Sequence, residues 1–162
     1  MRPRLAAGGT RAARGPGAPA VDVAAREGTD TMPEKRTFRF GFPAEDGYGY
    51  AQAVETGGTL YISGQVAFGP SGAVDPAQDA EAQMRRAYAN ARAVLAHFGA
   101  GPEAVVDELV FLKGGLAGAL EWVGRVRKEF YGPCPEVAST IVETPRLAMP
   151  ELMVEIKLVA KL

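Results

Sequence analysis

Residues 50–66 read YAQAVETGGTLYISGQV, and their reading decides the fold. Two β-rich runs, Tyr50–Val54 and Leu60–Gly64, flank the segment Glu55-Thr56-Gly57-Gly58-Thr59. Paired glycines supply the positive φ that a tight turn requires, so the two runs form a hairpin. A hairpin alone is not stable, and its neighbours in sequence show what covers it.

On its N-terminal side, T-F-R-F at 37–40 alternates as a strand does. On its C-terminal side, Gly69–Pro76 is loop-like in composition. Residues 79–98 give the clearest element. Met84, Ala87, Tyr88, Ala91, Val94, Leu95 and Phe98 recur at helical spacing, Asp79 suits the N-cap, and Gly99 ends the helix. V-V-D-E-L-V-F-L-K at 105–113 reads as another strand. Leu116–Tyr131 reads as a second helix with Leu116, Leu120, Val123 and Phe130 buried, Trp122 packed, and Gly132 as its stop. Strands at about 138–143 and 152–160 complete the chain.

The order strand, hairpin, helix, strand, helix, strand, strand predicts a two-layer α+β domain over 33–162, with two helices on one face of a mixed sheet. The other face needs cover too, because L-M-V-E-I-K-L-V-A at 152–160 is nearly continuously apolar. Association of identical chains through that face is the expected solution.

Residues 1–32 differ from the rest. They hold no aromatic residue, and five arginines stand against three acids among Ala, Gly and Pro. The expectation is a disordered tail, or translated sequence upstream of a start at Met32. An Arg-bearing, acid-free first twenty residues leaves a transit peptide open, but the apolar core of a signal peptide is missing.

Bulk composition narrows the chemistry. With 162 residues, a formal net charge of -1 and pI near 5.9, nothing draws the chain to nucleic acid or to an anionic membrane. No apolar run reaches the roughly 20 residues of a membrane span. One cysteine, Cys134, permits no internal disulfide and suits a cytoplasmic location. One histidine, His97, falls on a helix beside its apolar stripe, which argues against a catalytic triad or a zinc site.

Several stretches together resemble the Rid family (reactive intermediate deaminases, also called YjgF). These are Y-A-Q-A at 50–53, L-Y-I-S-G-Q-V at 60–66, Q-M-R-R-A-Y-A-N-A-R-A-V-L at 83–95, D-E-L-V-F-L at 107–112 and P-E-L-M-V-E-I-K-L-V-A at 150–160. The resemblance spans about residues 37–162. It implies a chorismate-mutase-like fold, a homotrimer, and a ligand cleft between neighbouring subunits. It also implies hydrolysis of 2-imino or enamine acids, such as 2-iminobutanoate and 2-iminopropanoate, to 2-oxo acids and ammonia, with no metal or cofactor called for.

By the same resemblance Tyr50 lines the cleft mouth, Ser63 and Gly64 form the S-G turn beside the ligand, and Glu155 positions the attacking water. Each has a plainer reading. Tyr50 could pack at an edge, Ser63 could bond its own backbone, and Glu155 could form an inter-subunit salt bridge. A carboxylate between Val154 and Ile156 is costly without a partner, which makes Glu155 the most informative of the three. Ser139, in S-T-I-V-E-T-P-R-L, falls where active imine deaminases of the family carry a carboxylate-binding arginine. Gly124 falls where they carry a helix asparagine. Charge-assisted hydrogen bonds contribute about 1.5–3 kcal/mol, so the chain resembles an arginine-lacking branch. Arg146 could turn back toward the cleft, although structural use is the simpler reading, and Cys134 is a loop cysteine near it. The alternative function is a trimer of the same fold that binds a small metabolite without catalysis. A ribonuclease, a name used within the family, finds no basic stripe here.

Overall fold

A computed structural model describes residues 34–74, 79–133 and 135–162. The readings of residues 1–32, of Asp75–Gln78 and of Cys134 lie outside the described residues. Met32–Leu162 forms one compact unit.

The hairpin forms as its sequence requires. Strand β2 (Ala53–Thr56) pairs antiparallel with β3 (Thr59–Gln65), and both turn glycines have positive φ, 57° at Gly57 and 72° at Gly58. A short strand β1 (Arg36–Phe38) pairs with β2 on its outer side. The first run starts as a strand at Ala53 rather than Tyr50. The reason is a helix that the sequence reading missed, α1 (Pro43–Tyr48), which ends at Gly49 with φ 70°. Six residues give too little periodicity to show. The helix is set by Glu45, whose buried carboxylate accepts the backbone N–H groups of Phe40 (2.9 Å), Gly41 (2.9 Å) and Phe42 (3.2 Å). Glu45 also accepts from Gln52 Nε2 at 2.8 Å. Burial alone would raise its pKa, but these bonds to the ionised form outweigh that and hold it below the usual range.

Helix α2 (Ala80–His97) opens on Asp79, whose side chain accepts from Ala82 N, and it buries Met84, Ala87, Tyr88, Ala91, Val94 and Leu95. Strand β4 (Val105–Lys113) matches its expected bounds. Helix α3 begins later than expected, at Ala119, and runs to Tyr131. Gly114, Gly115 and Gly118 all have positive φ, so the chain turns before it coils. The shift changes which side is buried. Ala119, Val123, Val126 and Phe130 face the core, whereas Leu120, expected inside, is 59% exposed.

Strands β5 (Ala138–Thr144) and β6 (Val154–Lys161) complete a mixed six-stranded sheet of order β1-β2-β3-β6-β4-β5, parallel between β4 and β5. The architecture is the expected two-layer α+β. The central strand β6 shows the logic: Val154, Ile156, Leu158 and Ala160 are fully buried under the helices, while Glu155, Lys157 and Val159 take the opposite face. That face carries an apolar stripe through Tyr61, Val159, Leu109, Phe111 and Val142, and Tyr61 and Val142 are exposed.

Leu158 is fully buried at the centre of this layer, so Leu158→Ala is expected to cost about 2–5 kcal/mol in urea unfolding. For Glu45→Gln, an NH2 group would face backbone donors, and a loss of about 1–3 kcal/mol is expected at pH 7. The sign of the pH dependence follows from the lowered pKa. The stabilisation from Glu45 is complete above the unfolded carboxyl pKa of about 4.3 and is lost as pH falls through the lower folded value. The gap between wild type and Glu45→Gln should therefore close in acid, as read by unfolding curves from pH 7 to pH 3.

Candidate functional site

The site grows from a break in the β3–β6 ladder. Ile62 pairs with Leu158 and Gln65 with Ile156, so three steps on β3 answer two on β6, which is a β-bulge at Ser63-Gly64. The bulge brings the Gly64 backbone against the side chain of Glu155. A Cβ on Gly64 would lie 1.8 Å from Glu155 Oε1, 2.7 Å from its Cδ and 2.9 Å from its Cγ, so no larger residue fits without moving the carboxylate. On the other side Glu155 is cross-strand from Phe111.

Glu155 is half-buried on the sheet face away from the helices. Among the described residues it has neither a hydrogen-bond nor an ion-pair partner, and burial pushes its carboxyl pKa above the usual range. A carboxyl group in that state is able to take up and release a proton nearer neutrality.

Tyr50 stands beside it. Burial first, and then the negative charges of Glu45 and Glu155, raise the phenol pKa, so Tyr50 is a neutral hydroxyl. Gln52 Nε2 approaches the Tyr50 hydroxyl oxygen at 3.5 Å, which leaves the phenolic proton free to point elsewhere. Gln52 is itself a buried hub. Its Oε1 accepts from Gln65 Nε2 at 2.9 Å, and Gln65 also reaches the carbonyl of Ser63 at 3.0 Å. The network runs from Glu45 through Gln52 and Gln65 to the bulge, and so fixes Tyr50 and Ser63-Gly64 to one frame. The Ser63 hydroxyl donates to the Ala51 carbonyl at 2.7 Å. Its proton is used locally, and its oxygen remains an acceptor.

Tyr50, Ser63, Gly64 and Glu155 are thus brought together by α1, the hairpin and β6. Ser139 and Arg146 are placed elsewhere. Ser139 lies exposed on the edge strand β5, in register with Glu108, whose side chain points into the helix layer; it is therefore on the opposite sheet face from Glu155. Arg146 is exposed just beyond β5, where its carbonyl accepts from Thr144 Oγ1 at 2.9 Å. Within one protomer neither reaches Glu155. His97 is exposed and packs its ring on Phe38 at 4.5 Å between centroids. No group of three or more His, Cys, Asp or Glu residues able to hold a metal occurs among the described residues. No helix among them is long and apolar enough to cross a membrane.

Gln52 and Gln65 lie within Y-A-Q-A and S-G-Q, yet nothing in the sequence around them or around Glu45 marks a role for these three residues. The available signal was weak: amides beside strands read as surface residues until the α1 turn is known to cover them.

A family model described as Endoribonuclease L-PSP matches residues 45–162. No functionally curated protein matches the chain. Many solved structures do. A member of the YjgF/YER057c/UK114 family from Mycobacterium tuberculosis is 26% identical with a TM-score of 0.68, over 80% of this chain and 100% of its own. A Rid-family protein of unknown function from Yersinia pestis, YyfA, is 26% identical with a TM-score of 0.70, again over 80% and 100%. A second from the same organism, YyfB, is 30% identical with a TM-score of 0.59, over 79% of this chain and 98% of its own. With a family model matching residues 45–162 and solved structures of that family sharing the fold, this chain belongs to the Endoribonuclease L-PSP family, also known as the YjgF or Rid family.

Proposed function

We propose that this protein hydrolyses an imine- or enamine-like small metabolite in a cleft completed by a neighbouring copy of the chain, with Glu155 as the proton-transferring group. The observation that carries this reading is the Glu155 carboxylate itself: half-buried, unpaired among the described residues, and given room by Gly64. An unpaired carboxylate inside an apolar strand is costly to keep, and use in chemistry accounts for it.

The reaction balances without a cofactor. Water attacks the carbon of the protonated imine as Glu155 accepts a water proton, and the C=N electron pair becomes the lone pair of a neutral amine. Glu155 then returns its proton to that nitrogen; collapse of the carbinolamine breaks the C–N bond and forms C=O, and the hydroxyl proton leaves with the ammonia as ammonium. Tyr50 supplies a neutral donor toward the substrate and Ser63 an acceptor oxygen. Ser139 and Arg146 belong to the rim that the second copy would close. The apolar stripe through Tyr61, Leu109, Phe111 and Val142 supports self-association, for which a trimer is the proposed form.

A second reading is a binding module of the same fold without catalysis. It is favoured by the Ser63 proton being held by Ala51 and by the serine, rather than a cation, at position 139.

The decay of 2-iminobutanoate, generated in situ, separates the two. Acceleration by wild type and a loss of roughly 10²–10⁴-fold in Glu155→Ala support the enzyme. No acceleration by the purified protein leaves binding alone, and RNA cleavage persisting after nuclease-free repurification would replace both. Gly64→Ala is expected to fold while its new methyl displaces the carboxylate. In that variant the Glu155 pKa, read by NMR titration, should move back toward the ordinary carboxyl value and activity should fall with it.

A further inference from the structure

The flank of α3 that faces the β5 edge carries Gly124, Arg127 and Tyr131 at steps of three and four residues. Arg127 donates from Nε to both oxygens of Glu108, at 3.1 and 3.2 Å, and its guanidinium lies over the Tyr131 ring at 5.7 Å. Glu108 is 1% exposed and also accepts from the Tyr88 hydroxyl at 2.8 Å. One edge of the guanidinium is therefore fixed. Among the described residues its two terminal NH2 groups have no hydrogen-bond partner, although a guanidinium offers five donors in a rigid fork.

The Arg127 side chain keeps 19% of its surface exposed. Gly124 stands one turn before Arg127, and a Cβ added there would meet nothing within 4 Å. Across from it, Ser139 is in register with Glu108 on the neighbouring strand, about 4.8 Å away, and places a short hydroxyl side chain at the edge. The buried Tyr131 hydroxyl borders Glu108; burial, and then the charge of Glu108, keep it protonated. Glu103 and Glu136 lie at the Tyr131 end of this flank, whereas at the Gly124 end Glu121 is offset by Lys128, so an anion would enter from the Gly124 end.

We propose that Arg127 is an anion-binding residue, whose terminal NH2 groups grip the carboxylate of a small-molecule ligand at the β5 edge, with the Ser139 hydroxyl as an additional donor. Glu108 orients the fork by holding Nε, and its charge cancels that of the arginine, so the site selects by bidentate geometry rather than by net field. The identity of the ligand as a small carboxylate rests on the reading under Proposed function; the site itself rests on the geometry around Arg127.

The probe is pyruvate, with neutral methyl pyruvate as control, titrated into the full chain and followed by calorimetry and by amide NMR shifts in α3 and β5. Arg127→Gln alone would leave Glu108 buried without its counter-charge, so the double variant Glu108→Gln/Arg127→Gln removes both charges together. Arg127→Lys keeps the charge and loses the fork. Saturable binding of pyruvate but not of its ester, weakened about tenfold or more in both variants at unchanged secondary structure, is expected. Equal affinity in the double variant, or no saturable binding by wild type, overturns the proposal. The same proteins tested on 2-iminobutanoate keep the two ideas apart. Arg127-dependent pyruvate binding without turnover fails the enzyme reading alone, and turnover at wild-type KM in both variants fails this one alone.

Discussion

The contact on which this molecule depends is the packing of one carboxylate against one glycine. Glu155 projects from the central strand onto the sheet face away from the helices, and the bulge at Ser63-Gly64 removes the side chain that would otherwise fill its place. A regular ladder would have put an alternating residue there and closed the gap. Desolvation then raises the proton affinity of the carboxyl group, and among the described residues no ion-pair partner occupies it. Strand geometry, local dielectric and reactivity are one fact seen at three scales.

Around that contact the polar interior is built as a scaffold. Glu45 is ionised and buried, yet every bond it makes is to a donor: three backbone N–H groups and the Gln52 amide. Gln52 and Gln65 pass this order to the bulge. Such a network has few alternative arrangements, because exchanging any donor for an acceptor leaves a buried atom without a partner. A second buried network, Tyr88–Glu108–Arg127, ties both helices to β4 and positions the α3 flank near the sheet edge.

The fold was largely legible because its strongest signals are local. The Gly57-Gly58 turn, the stripe Met84–Leu95 and the strand Val105–Lys113 each announce themselves within one element. What failed to show is not written in a repeating pattern. Helix α1 exists because Glu45 reaches back to Phe40, and Leu120 is exposed because three glycines delay α3 by a turn. In the site, Glu155 was legible as a charge out of place in an apolar strand. The same alternation could not tell that Ser139 lies on the other face of the sheet, since that follows from the parallel register with Glu108. Nor could it reveal Arg127, which reads as an ordinary solvated helix residue until its partner is known to be buried.

The strand order has a consequence for how the chain is made. β6 is the last element in sequence but sits between β3 and β4, pairing with both. During synthesis the hairpin, both helices and the β4–β5 pair can emerge before the strand that joins them, so two half-sheets must wait with open edges for one closing segment. Contacts spanning about a hundred residues set the pace of that closure. Nascent chains of this protein are therefore exposed to mispairing until translation of the domain is nearly finished.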